Sequence, residues 1–425
     1  MRGRDAFFCY VGTATVAQQI GAVVDLDPRP DGRGLTRQDL HDLLERRLPA
    51  MPTLRRVPVP RGRWRPGWLL LDHVEPAAHV REHRLPPDAT AASSAVVIDR
   101  FWTDPVPTDR PPWQMLLVTG AAAGCTTLAV KLHHCLGDGR SVIGTVVRLL
   151  DPVPGAGTGG AAAPEPTTTQ VPGRARARGA VRRGGRTVRG LLRLAAAGRA
   201  PPTVINGPLA TPRRRLLTTT LPAPVVSRAA RALGVHTSEL ACGLVAEALH
   251  RTYPGTAPPR LRAMFPVSRR DADRAPAQGN WTGAVALDLP TGPVPVRDRV
   301  MIVRDRLREG LSSGEPAAAD LVMRVMGRLP GGLHAAVARR VYRDRFMNVI
   351  VSYLSGPARP RLVAGAPVRT VAPVVGLADG VPIGVGVLRW ADTVGFGVLL
   401  DGSLAALGEA FVSALHDGFD AVSAG

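Results

Sequence analysis

Lys131-Leu132-His133-His134-Cys135-Leu136-Gly137-Asp138-Gly139-Arg140-Ser141 is the stretch on which the reading of this chain turns. Upstream of the histidines, Leu128, Val130 and Leu132 alternate with Thr127, Ala129 and Lys131, the period-two pattern of a half-buried strand over 126–132. Downstream, Val142, Ile143, Val146, Val147, Leu149 and Leu150 recur at helical spacing, with Asp138 or Ser141 placed to cap the first turn. The pattern predicts a strand, a turn and a helix, with Gly137 and Gly139 permitting a tight bend or close approach of another chain on either side of Asp138. Two imidazoles then stand at a strand end. Histidine is the usual general base near neutral pH, so this is where a proton-transfer site is expected.

Length and composition set limits on the rest. The 425 residues suit two domains of about 150 to 200 residues each. Hydrophobic residues make up 45% of the chain, yet no apolar run approaches the roughly 20 residues of a membrane-spanning helix. The N-terminus shows no apolar segment with a cleavage site, so export is not expected. Cys9, Cys125, Cys135 and Cys242 are scattered without metal-ligand spacing; they predict reduced thiols in a cytoplasm and no metal site. The formal charge of +20 would ordinarily suggest nucleic acid or an anionic membrane. Lys131 is the only lysine, however, and the wealth of Ala, Arg, Gly and Pro ascribes much of the basicity to composition. Nucleic acid is not expected as a partner.

Taken in order, residues 5–26 mix helical and strand signals, and Leu40, Leu43, Leu44 and Leu48 mark an amphipathic helix capped by Thr36. His73 and His79 read as structural or surface histidines. Residues 152–202 break the pattern: Gly, Ala, Pro and Thr give way to an arginine-rich run, 174–199, without one acid. Its composition predicts an interdomain linker with weak affinity for anionic lipid, its helical potential reduced by Gly184, Gly185 and Gly190. The predicted division is therefore a subdomain at 1–151, a basic linker at 152–202 and a second subdomain at 203–425.

The spacing His-His-x-x-x-Asp-Gly resembles the signature of the chloramphenicol acetyltransferase-like, or condensation-domain, superfamily of acyltransferases. Other blocks resemble one branch, the bifunctional wax ester synthase/diacylglycerol acyltransferases: Pro111-Pro112-Trp113, Pro266-Val267-Ser268-Arg269-Arg270, Gly279-Asn280 and Asn348 to Pro357. Ser238-Glu239 and Tyr353 depart from that branch, standing where Asn-Asp and a second Asn are usual. The resemblance implies an α/β fold with mixed sheets, two chloramphenicol acetyltransferase-like subdomains and a channel between them. It also implies His134 as general base and His133 beside it as a second catalytic histidine, with Asp138 and Gly139 as structural members of the motif. Arg269, or alternatively Arg270, is then the partner of Asp138, and Asn280, Ser352 and Tyr353 border the substrate channel.

The implied reaction moves an acyl group from acyl-CoA, as co-substrate, to an acceptor hydroxyl, with no other cofactor. The residues agree, since neither a Gly-x-Ser-x-Gly nucleophile elbow nor a Gly-rich phosphate loop is present. Two alternatives stay open: an acyltransferase of specialised metabolism, taking a polar or polycyclic acceptor or a carrier-bound donor, and a non-catalytic scaffold. The expected location is cytoplasmic, with peripheral contact to a membrane or lipid body.

Overall fold

The computed structural model describes residues 1–120, 124–153, 179–209, 211–268 and 279–424. The motif forms as its pattern predicts. Strand Thr126–His133 runs into a single 3-10 turn, His134–Leu136, and helix Gly139–Leu149 follows with Asp138 at its N-cap. Thr36 caps helix Arg37–Arg47 through a reciprocal capping box with Asp39. The mixed signals of residues 5–26 resolve into helix Gly3–Val11 and strand Gln19–Leu26.

Two mixed sheets carry the molecule. The seven-stranded sheet runs in the order Val80–Arg84, Trp113–Thr119, Thr126–His133, Gln19–Leu26, Ala366–Val374, Arg361–Val363, Asp151–Pro152. Its first two strands are parallel and the remaining neighbours antiparallel. The six-stranded sheet runs Thr282–Pro290, Arg260–Ser268, Val349–Ser355, Ile383–Trp390, Thr393–Asp401, Arg214–Pro222, with Val349–Ser355 parallel to both neighbours. A separate hairpin pairs Arg56–Arg61 with Trp64–Leu70.

The sheets do not divide at the boundaries read from composition. Arg361–Val363 and Ala366–Val374 belong by sequence to 203–425, yet they complete the N-terminal sheet. Ala366–Val374 also lies against the second sheet. A Cβ on Gly395 or Gly397 would come within 2.0 Å of Val371 O or 2.1 Å of Pro373 O, so these glycines let the two backbones meet. The exchange fastens the two halves to each other, and each keeps its own apolar core.

The basic segment also differs from its expectation where it is described. Residues 179–197 form one helix that packs on helix Glu315–Met326, and a Cβ on Gly190 would meet Gly314 O at 2.3 Å. Gly190, read above as a weakness in the helix, is its contact point. Arg193 bridges Glu309 at 2.6 Å and Glu315 at 3.1 Å. This part of the segment is a docked helix, while residues 174–178 lie outside the described residues.

Candidate active site

The histidine pair sits where the two halves meet. His134 N–H donates to Gln18 O at 2.7 Å, which ties the turn to the N-terminal sheet. From the other half, Asn280 Nδ2 donates to His134 O at 3.0 Å. The imidazole of His134 stacks on Phe8 of the first helix, centroids 3.6 Å apart and planes 10° from parallel. Among the described residues, His134 Nδ1 is buried without a hydrogen-bond partner. His133 Nδ1 accepts from Cys135 N–H at 3.2 Å, which requires the proton on Nε2 when the ring is neutral.

Both histidines keep some surface open, yet their rings lie deep enough that burial holds each pKa down to about 4. For His134, burial outweighs the stabilising effects of its own carbonyl, Asp138 and Asn280; for His133, neighbouring His134 adds to the depression. At neutral pH both are uncharged, the form a general base requires.

The motif carboxylate is structural in its visible contacts. Asp138 Oδ1 accepts from Ser141 N–H at 2.9 Å as the helix cap, and Oδ2 accepts from Trp281 N–H at 2.8 Å across the junction. Ser141 Oγ donates to Gly279 O at 2.7 Å alongside. Gly139 serves the same junction: a Cβ there would stand 2.8 Å from Leu354 Cδ1, so a larger residue would have to displace the Leu354 side chain where the motif helix meets strand Val349–Ser355. Arg269 and Arg270, the expected partners of Asp138, lie outside the described residues.

Of the expected channel residues, Asn280 reaches the histidine directly. Ser352 shares its strand face with Leu354, on the side that meets Gly139. Tyr353 points the opposite way into the core of the second half, so strand alternation removes it from the channel lining.

Asp5 is the member that sequence reading missed. Its buried carboxylate accepts from both Asn280 N and Asn280 Nδ2 at 2.9 Å, and burial raises its pKa although those bonds and Arg2 oppose the rise. One helix thus supplies the carboxylate that orients Asn280 and the Phe8 ring that covers His134. The available signal was an acid three residues before a phenylalanine in a short amphipathic segment, which is too common to single out. His79 is structural, as expected, with Nδ1 2.9 Å from Trp113 O and its ring stacked on Trp113.

Cys135, next to the base, is fully buried, and burial together with Cys9 pushes its thiol well above the usual range. A thiolate nucleophile is therefore disfavoured. We expect Cys135→Ala to retain turnover and intact-mass spectrometry to find no acyl adduct on the wild-type cysteine; an adduct that forms and decays with substrate would reverse that assignment.

A two-lobed α/β fold with a histidine motif at the lobe junction defines the condensation-domain class of acyltransferase folds. Solved structures of that class match nearly the whole chain. The wax ester synthase/diacylglycerol acyltransferase from Marinobacter aquaeolei VT8 superposes with a TM-score of 0.68 at 17% identity, covering 99% of this chain and 98% of that one. The first condensation domain of the CDA synthetase gives 0.62 at 17% identity, covering 99% and 95%. In sequence, residues 1–240 match the wax ester synthase/diacylglycerol acyltransferase catalytic domain and residues 278–423 match the C-terminal domain of the same family. A putative diacylglycerol O-acyltransferase of Mycobacterium tuberculosis H37Rv is 26% identical over 433 residues, spanning 95% of this chain and 91% of its own. The chain belongs to the wax ester synthase/diacylglycerol acyltransferase family, a family of acyltransferases.

Proposed function

We propose that the chain transfers an acyl group from acyl-CoA to an acceptor hydroxyl, making an oxygen ester, with His134 as the single base. The observation that carries this reading is the neutral, half-buried imidazole of His134 at the lobe junction, stacked on Phe8 and with its carbonyl held by Asn280. In the reaction His134 Nε2 accepts the hydroxyl proton as the oxygen attacks the thioester carbonyl. The tetrahedral intermediate then collapses, the C–S bond breaks, and the same proton passes to the departing sulfur. Burial disfavours a free imidazolium, so proton removal and attack proceed together. His133, whose Nδ1 is already engaged, orients the turn.

In this reading acyl-CoA and the hydroxyl acceptor are the partners, no prosthetic group is needed, nucleic acid has no part, and lipid contact is peripheral and cytoplasmic. Among the described residues, no helix is long and apolar enough to cross a membrane. The second reading, a polar or polycyclic acceptor, is supported by Ser238-Glu239. Both are buried, and Glu239 caps its own helix at His236 N–H and pairs with Arg308, so the departure from Asn-Asp changes the packing inside this half.

The deciding assay incubates purified protein with acyl-CoAs of several chain lengths against a long-chain alkanol, a diacylglycerol and a polycyclic alcohol, following thiol release and ester product. We expect ester and thiol in equal amounts with at least one acceptor. Thiol release without ester, or no transfer from any donor, would refute the reading; ester from the polycyclic alcohol alone would establish the second.

A further inference from the structure

The exposed apolar side chains are not scattered. Among the described residues, nine of the eleven large hydrophobics that stand exposed lie on elements joined to one another; these include Trp64, Leu69, Leu192, Val325, Leu333 and Phe346. The joins are explicit. Gly331 N–H donates to Arg63 O at 3.0 Å, linking the hairpin Arg56–Arg61/Trp64–Leu70 to helix Gly331–Val341. Arg65 donates to Gly327 O at 2.7 Å, linking it to the end of helix Glu315–Met326. That helix carries the basic helix Gly179–Ala197, and Ala200 N–H returns to Arg345 O at 2.9 Å. Trp64 is 61% exposed and Leu333 52%; it is their grouping on joined elements, not the exposure of either alone, that marks an interaction surface.

Arginine surrounds them. Residues 56–70 hold four arginines and no acid, 184–199 hold four and no acid, and 328–346 hold five and one acid, Asp344, which Arg343 engages. Arg63 lies over Trp64 and Arg345 over Phe346, with the guanidinium 5.4 and 5.6 Å from the ring centroid. Of these arginines, Arg193 and Arg343 pair with acids; apolar tips ringed by the remainder match a surface of acyl chains beneath anionic headgroups. A nucleic acid would need the charge without the exposed aliphatics, and a second copy of this chain would meet the same positive charge.

The first helix links this face to the site. Arg339 Nε donates to Tyr10 O at 2.8 Å and Arg4 pairs with Asp320, while Phe8 of the same helix covers His134. We infer that the face formed by the 56–70 hairpin, helix Gly331–Val341 and helix Glu315–Met326 docks on an anionic lipid surface, from which a lipophilic hydroxyl acceptor reaches His134 past the first helix. The inference rests on the proposed acyl transfer for the acceptor's destination, whereas the docking itself stands apart from it.

The test uses the full chain and vesicles of phosphatidylcholine with or without phosphatidylglycerol. Wild type should sediment with the anionic vesicles and much less with the neutral ones, and salt should weaken the binding. Trp64→Ser/Leu333→Ser should lower the partition coefficient about tenfold, and Arg63→Glu/Arg340→Glu should lower it further at low salt, since each arginine near the surface contributes about fivefold. Both variants should keep turnover on a water-soluble short-chain alcohol and lose it on a diacylglycerol presented in vesicles. Circular dichroism melts would exclude unfolding; if the serine variant melts early, the surface charge variant decides alone. Failure of wild type to bind anionic vesicles, or wild-type binding by both variants, would overturn the docking face. Lost binding with unchanged turnover on vesicle-borne acceptor would overturn the delivery route. Absence of turnover on every acceptor, with vesicle binding intact, would instead refute the acyltransferase reading alone.

Discussion

His134→Ala should reduce kcat for acyl transfer by about 100-fold or more while leaving a folded protein, because positioned general bases commonly contribute factors of that order. Stability should change little. The structural bonds of residue 134 are made by its backbone, N–H to Gln18 O and C=O from Asn280, and alanine keeps both. What is lost is the ring's stacking on Phe8, a contact of about 0.5 to 1.5 kcal/mol. The wild-type rate should also have no acid limb near pH 6.5. With its pKa held to about 4, His134 stays an unprotonated base as the pH falls, until the pH approaches that value. Purified variant and wild type compared by single-turnover thiol release, across pH 4.5 to 8 and alongside a thermal melt, would check both statements. Near-normal turnover in the variant would end the single-base mechanism.

The motif was legible because its determinants are local: alternation up to His133, an Asx cap at Asp138 and helical periodicity beyond it are encoded within about 25 consecutive residues. The resemblance of scattered blocks then implied the lobe arrangement, and Asn280 took its place beside His134. Local pattern could not reveal which sheet a strand joins. Ala366–Val374 reads as an ordinary strand of the second half, but its pairing with Gln19–Leu26 depends on a chain crossing of more than 300 residues. Glycine misled for the same reason: Gly190 costs helix propensity locally, whereas Gly314 opposite turns the missing side chain into a close contact. Tyr353 was placed in the channel by analogy of motif position, yet one residue along a strand reverses the face, and the neighbouring Ser352 and Leu354 have the orientation assigned to it. Asp5 lay in a segment with no strong period, and its importance comes from a partner 275 residues away.

Asp138→Asn should destabilise the protein first and slow it as a consequence, because the carboxylate accepts two backbone N–H groups from opposite sides of the lobe junction. Asparagine caps helices as well as aspartate does, so its oxygen can keep Ser141 N–H. Its amide nitrogen would then face Trp281 N–H, donor against donor, and the bond between the lobes is lost at a cost of about 1 to 3 kcal/mol. Arg269 adds a second arm to the test. If the pairing implied by the motif exists, Asp138→Asn also strands a guanidinium, the loss rises towards about 3 to 5 kcal/mol, and Arg269→Met in the same chain restores part of it. The charge of Asp138 also helps His134 to accept a proton, so a direct electrostatic role predicts a different outcome: a large fall in kcat with little change in the melt. Urea unfolding and turnover for Asp138→Asn, Arg269→Met and the double variant separate these cases. A coupling energy well above 0.5 kcal/mol in the cycle establishes the pair; additive losses leave Asp138 as the cap of its helix and the clasp on Trp281, without Arg269.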